Sequence, residues 1–225
     1  MVASRLESAR GRDVHVAPAT EIFQPGPAMT MTRNLAALLL AAVAGSAHAD
    51  PKAEVFAAWD AMIAAKSYRA SVETTANNQV FKQTIEMIIP DHMRMSGGPG
   101  GDLVITPAGA WLKAPGQDWV EAPPGTAAMS KQFMSEEFVA QAKAGVRSVE
   151  ALGTETVAGK SARTYKVEQV MTMMGIESQS STKLFVDADS GRPIRQEVDA
   201  TAMGRSSRTV QDIEYVADLK IVAPK

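Results

Sequence analysis

The stretch from Thr182 to Val198 constrains the chain more than any other. Lys183, Phe185 and Asp187 alternate with Leu184 and Val186, the period of two that sends neighbouring side chains to opposite faces of a pleated strand. Asp187, Asp189, Ser190 and Gly191 then supply turn chemistry: side chains that bond their own backbone, and a glycine free to take positive φ. Pro193 closes the turn, and Ile194 to Val198 runs back. Similar signals recur on both sides of this hairpin, so the chain reads as a meandering antiparallel sheet.

The N-terminal part follows different rules. Leu35 to Ala44 is a short apolar run behind Arg33, followed by Ala47-His48-Ala49, a small-x-small cleavage pattern. This is the pattern of a secretory signal peptide, and the run is too short to span a bilayer as a helix. The expectation is a signal peptide over 29–49, cleavage between Ala49 and Asp50, and an exported, periplasmic product over 50–225 that does not span the membrane. Residues 1–28 have no clear period and read as an extension outside the fold, with translation starting at Met1, Met29 or Met31. Nothing in the sequence chooses among these three. The chain has no cysteine, so export leads neither to a disulfide framework nor to acylation at a new N-terminal Cys. Its 23 Lys and Arg against 25 Asp and Glu leave a net charge of −2, without the positive excess that nucleic acid demands.

In the exported part, Asp50-Pro51 reads as N-cap and first helical residue. Val55, Trp59, Met62 and Ile63 fall at helical spacing, which predicts a helix from Pro51 to about Lys66. Strands are expected at 68–75, 80–89, 93–95, 103–105 and 110–113, with a short one beginning at Trp119-Val120. A helical region over 126–143, in one piece or two, interrupts the sheet, with Gly145 as its stop. Strands resume at Ser148 and 162–167, a turn is expected at 171–174, and the last strand runs over 208–215 after a turn at Ala202-Met203-Gly204.

Catalytic patterns are absent. His92 is the one histidine after Ala49, which leaves a zinc site or a nucleophile triad without its usual groups. Gly153 to Ser161 imitates a phosphate loop but puts five residues between the glycines where four are needed, and it precedes a strand pattern. The Asp187–Gly191 turn lacks the ligands of an EF-hand. The expectation is therefore a protein with no catalytic residue, no metal and no cofactor. What stands out is methionine: 13 in the chain, three of them before Asp50. Met is flexible and polarizable and suits either core filling or an adaptable apolar pocket.

The order of these elements resembles the LolA-like superfamily of periplasmic lipoprotein carriers and their relatives. The resemblance is carried by the N-terminal helix, the strand segment Ile88-Ile-Pro-Asp-His-Met-Arg-Met95, and the Trp-bearing hairpin with Ala110-Trp111-Leu112 and Asp118-Trp119. The mid-chain helix, Gly153 to Lys160, Phe185 to Arg195 and the ending Ile221-Val-Ala-Pro complete it. It implies an α+β fold: a strongly curved antiparallel sheet forming an incomplete β-barrel, with the N-terminal helix and the mid-chain helical segment over its concave face. It also implies lipid acyl chains or lipoproteins as cargo. The apolar cavity would then be drawn from Phe56, Trp59, Phe81, Ile85, Met87, Met93 and Met95. From the second half it would take Trp111, Met129, Phe133, Met134, Phe138, Leu184 and Val186. Carriers of this kind use a strand arginine to control closure, and Arg69 and Arg94 are the candidates. Relatives of this fold also act as envelope sensors, so the alternative is an interaction domain that binds an inner- or outer-membrane protein. A hydrolase would have to work through His92.

Overall fold

Asp50 starts the fold as its sequence neighbours predict: its carboxylate accepts the Lys52 N–H at 3.0 Å, and helix α1 runs Pro51–Ala64. In this computed structural model the described residues are 50–225 apart from Met134 and Met174; the side chains of Met129, Ser130, Gln132, Phe133 and Met173 are also outside the description. The expected extension and signal peptide, residues 1–49, lie outside the described residues.

After α1 come β1 (Ser67–Ala76), β2 (Gln79–Ile88), β3 (His92–Gly98), β4 (Gly101–Thr106), β5 (Gly109–Lys113) and the two-residue β6 (Val120–Glu121). Helices α2 (Thr126–Phe133) and α3 (Glu136–Ala144) interrupt the sheet. It then resumes with β7 (Val146–Val157), β8 (Lys160–Met173), β9 (Ile176–Asp187), β10 (Pro193–Ala202) and β11 (Arg205–Tyr215). Every strand pair is antiparallel, and the spatial order is β6-β5-β4-β3-β2-β1-β11-β10-β9-β8-β7. The first and last strands of the meander, β1 and β11, meet in the middle. The terminal strands of the order, β6 and β7, do not pair, so the curved sheet stays an open, incomplete barrel, the α+β architecture expected from the sequence.

One open alternative closes and one local reading changes. The helical region is two helices, because Ser135 accepts the Phe138 N–H at 3.2 Å and caps α3 afresh. The turn expected at 171–174 is strand as far as Met173, because Met171, Thr172 and Met173 pair with Ser178, Glu177 and Ile176. Strand β7 is one continuous element, with a bulge at Ala151/Gly153 where Gly153 takes φ 107°.

Alternation assigns the two sheet faces. The inner face meets the helices. Under α1, Val55 and Ala58 pack on Val146, Tyr165, Val167, Leu184 and Val186. Farther along, Met62 reaches a second cluster of Tyr68, Ala70, Val72, Met87 and Ile213. Ala127 of α2 packs against a third, built on Ile105, Ala110 and Ala122. The outer face is mostly ionic, apart from a small cluster of Ala162, Phe185, Ile194 and Val157.

Candidate functional site

Strand register lines up two apolar rows across the inner face. The first joins Tyr215, Tyr68, Met87, Met93, Ile105 and Ala110 through successive pairings. The second, two residues along each strand, joins Ile213, Ala70, Ile85, Met95, Leu103 and Leu112 and ends on Val120 of β6. The first row is largely closed, with Tyr68, Met87, Ile105 and Ala110 buried. The second is closed only at Ala70 and Ile213; Ile85, Met95, Leu103 and Leu112 are half-buried and Val120 is 58% exposed. At about 4.8 Å per strand, the half-open floor from β2 to β5 is roughly 14 Å wide. Phe81, also half-buried, continues the same face of β2.

Where α1 lies decides what stays open. It is held at its first turn, where Glu54 accepts a hydrogen bond from the Tyr165 hydroxyl and pairs with Arg163 at 3.1 Å. Burial, and then the bond to Glu54, push the Tyr165 phenol up to about 12 against the opposing pull of Arg163. Burial alone pushes Tyr68 to about 12, and it raises Tyr215 as well. All three tyrosines sit on the inner face, Tyr68 and Tyr165 buried and Tyr215 half-buried. Helix α3 is attached differently. It buries no residue, and Lys143 near its end pairs with Asp60 of α1 at 2.5 Å and lies over the Phe56 ring. Between α1 and α3 runs a mainly apolar groove of about 370 Å³, lined by Ile63, Ala64, Val139 and Ala140 with Asp60 and Lys143.

The expected cavity residues divide accordingly. Phe81, Ile85, Met93 and Met95 share the inner face in half-buried positions. Met87 is on that face but buried, while Leu184 and Val186 are 1% exposed beneath α1, part of its packed base rather than an open lining. Phe56 and Trp59 stack on each other at 5.7 Å along α1. Phe138 is half-buried on α3. The side chains of Met129, Phe133 and Met134 lie outside the described residues. Trp111 is on the other face: its register neighbours are Val104 and Glu121, while Ala110 and Leu112 point inward.

Arg69 and Arg94 also sit on the outer face, away from the helices. Both grip Glu86, which is 8% exposed; Arg69 does so through Nε and NH2 at 2.9 and 2.8 Å, Arg94 through NH1 at 3.2 Å. In register the row is Glu214, Arg69, Glu86, Arg94, Val104, Trp111 and Glu121, an ionic ladder that runs into an apolar step. Its geometry fits a tie between three strands. His92 opens β3 with its Nδ1 2.7 Å from the Asp91 carboxylate. Sequence reasoning missed Leu103, Ile105 and Leu112 of the floor. Their signal was present, since each shares the parity of Met93 or Met95 across a short hairpin. Among the described residues no helix is long and apolar enough to cross a membrane.

No protein-family model and no curated protein matches this sequence. Solved structures do. The lipoprotein LppX of Mycobacterium tuberculosis superposes with a TM-score of 0.56 at 16% identity, over 77% of this chain and 98% of its own. LprF from Mycobacterium bovis follows at 0.49 and 15%, over 78% and 98%. MucB in complex with MucA(peri) gives 0.37 and 12%, over 78% and 63%. The fold is shared with LppX, an open half-barrel of the kind the sequence resemblance implies.

Proposed function

We propose that this protein is a non-enzymatic carrier of the cell envelope that shelters the acyl chains of a lipid or lipoprotein on the inner face of its half-barrel. The observation that carries the reading is the second inner row. Ile85, Met95, Leu103 and Leu112 form a continuous apolar floor left half-open, where a chain with no cargo gains most by closing it. Partly exposed apolar side chains that run continuously across one sheet face suit an apolar ligand. An acyl chain laid across it gains about 0.8 kcal/mol for each CH₂ buried, so tight retention needs no reactive group. Methionines suit a floor that takes chains of varied shape.

The test is native mass spectrometry on protein purified gently from a bacterial periplasm. An adduct of lipid mass, removed by organic extraction, is expected. Met95→Asp and Leu103→Asp place a charge on the half-open floor and should remove the adduct while the protein stays folded by circular dichroism. A clean cargo-free mass for the unaltered protein, or an undiminished adduct on both variants, overturns the reading.

A second reading, an interaction domain for a protein partner, draws on β7. Among the described residues its outer edge is unpaired over 12 residues, with Leu152 44% exposed, and an extended segment of another chain could add to it. Two bulges interrupt that edge, a usual protection against such pairing, so the carrier stands first.

A further inference from the structure

The antiparallel order puts the β1–β2, β3–β4, β8–β9 and β10–β11 turns at one end of the sheet and the β2–β3, β4–β5, β7–β8 and β9–β10 turns at the other. The two ends differ. At the second, the turns carry Pro90-Asp91, Pro107-Ala108, Ala158-Gly159 and Asp189-Ser190 and none of these turns has an exposed large apolar side chain, while Val222, 66% exposed, lies in the C-terminal segment that follows β11. At the first, Val80 beside the β1–β2 turn is 55% exposed, Ile176 beside the β8–β9 turn 43%, and Met203 in the β10–β11 turn 78%.

Met203 breaks a second local rule. Its φ is 51°, in the left-handed region that glycine and asparagine adopt readily and a long apolar residue resists. The β1–β2 turn needs the same backbone shape and fills it with Asn77 and Asn78, at φ 50° and 62°. At the β10–β11 turn the chain instead holds an apolar side chain out in water, on backbone that disfavours it. Two residues away, Arg205 is exposed and has no ion-pair partner among the described residues. Ala158 takes a similar φ of 49° in the β7–β8 turn, but among the described residues only Met203 joins that backbone shape to a large apolar side chain held in water, which invites a functional explanation.

We propose that this end of the half-barrel docks on a phospholipid bilayer, with Val80, Ile176 and Met203 entering the interfacial layer and Arg205 reaching the phosphates. The pattern fits a bilayer better than a protein partner. The three side chains sit on hairpins adjacent in the sheet, β2-β1, β11-β10 and β9-β8, spaced about 10 Å laterally, with Met203 and Ile176 outermost and Val80, opposite Thr75, set back along its strand. Separate protruding side chains do not make the contiguous packed core of a protein interface. A bilayer takes each one independently, and an arginine flanking an apolar tip keeps its charge at headgroup level. Docking of this kind complements the carrier reading, which needs a route between the membrane and the apolar floor, but its evidence is separate.

The experiment is flotation of the purified protein with protein-free vesicles of phosphatidylethanolamine and phosphatidylglycerol. It compares the unaltered chain with the triple variant Val80→Thr, Ile176→Thr, Met203→Asn. Threonine keeps strand preference and asparagine suits the Met203 backbone, so the variant should fold and melt no lower than the parent. The parent is expected to float and the triple variant to lose at least about tenfold in partition, with Arg205→Gln losing less and only at low salt. Equal partition of parent and triple variant overturns the proposal. So does a parent that ignores protein-free vesicles but binds native envelope membranes, which would assign this end to a protein receptor. Native mass spectra taken in parallel separate the two readings. A parent that floats without ever carrying lipid keeps the docking end and sinks the carrier, whereas a lipid-loaded parent that never floats does the reverse.

Discussion

The three tyrosines offer a direct measurement of how dry the inner face is. Tyr68, Tyr165 and Tyr215 are the only tyrosines in the chain, and all three face the helices, so every phenol signal reports on that face. An ordinary phenol ionises near 10.0. Burial pushes Tyr68 and Tyr165 up to about 12 and raises Tyr215 too. Tyr68 is 9% and Tyr165 2% exposed, so solvent screening is slight for both. A hundredfold change in ionisation constant corresponds to roughly 2.7 kcal/mol for each. Because the folded values lie above the unfolded one, this stability is complete below pH 10 and is lost as pH rises through about 12. Two such losses are a large part of a typical domain's 5–15 kcal/mol. The assay is tyrosinate absorbance at 295 nm against pH, alongside far-ultraviolet circular dichroism. Between pH 10 and 11 the absorbance should stay low. It should then rise in one step that coincides with loss of strand signal. A phenol that titrates smoothly with a midpoint near 10 while the sheet persists would refute the reasoning, because it would put water on the inner face beside α1 or at the β1–β11 junction.

Glu86→Ala strands two arginines that shared one buried carboxylate; since Arg69 and Arg94 are each more than a third exposed, water softens the loss to about 2 kcal/mol, read as a drop in Tm of roughly 4–8 °C. Asp187 accepts the Asp189 N–H at 2.9 Å, and its carboxyl is held below the usual range by that bond, by bonds from Ser190 and by Lys160. Its contribution is therefore present above about pH 4 and lost as pH falls through the lowered value, so the stability gap between the parent and Asp187→Asn should shrink on acidification in urea melts from pH 6 to 2.5. Gly145→Ala would set a Cβ 2.4 Å from the Val170 carbonyl oxygen, a backbone atom that cannot swing away, and should cost about 1–3 kcal/mol in chemical denaturation.

Local rules made the elements legible. The Asp50 cap, the Asp187 to Arg192 turn and the Met203-Gly204 turn each depend on a few adjacent residues, and the structure has them where the sequence puts them. The faces of β1, β2 and β3 were legible for the same reason, since alternation is local. What escaped the sequence depends on distant contacts. Leu184 and Val186 look as apolar as Ile85 and Met95, but α1 covers the first pair and not the second, and no periodicity says where a helix will lie. At 109–113 the size of Trp111 outweighed its parity, and only the pairing with Val104 shows that its smaller neighbours, Ala110 and Leu112, face inward. Arg69 and Arg94 drew attention as isolated charges on apolar strands. Their partner, Glu86, is recognisable only once the register between β1, β2 and β3 is known.

The open seam ties these features together. A closed barrel satisfies all its strand edges and fills its interior with its own side chains. Here β6 has two residues against the twelve of β7, so the two ends of the sheet cannot zip together. The inner face must then be covered by helices, and the cover is uneven. Helix α1 buries Val55 and Ala58 completely and is tied through Glu54 to Tyr165 and Arg163, so moving it would expose a packed core and break a half-exposed ion pair with its hydrogen bonds. Among the described residues helix α3 has none fully buried, and its attachments include the Lys143–Asp60 pair, Gln141 on the Thr172 carbonyl and Gln169 on the Ala142 carbonyl. Contacts of that kind are worth little each and exchange readily with water. Local opening follows the weaker attachment. Any motion of α3 therefore starts over β8, where Gln141 and Gln169 hold it, with α1 staying on β7 to β10 as the fixed wall.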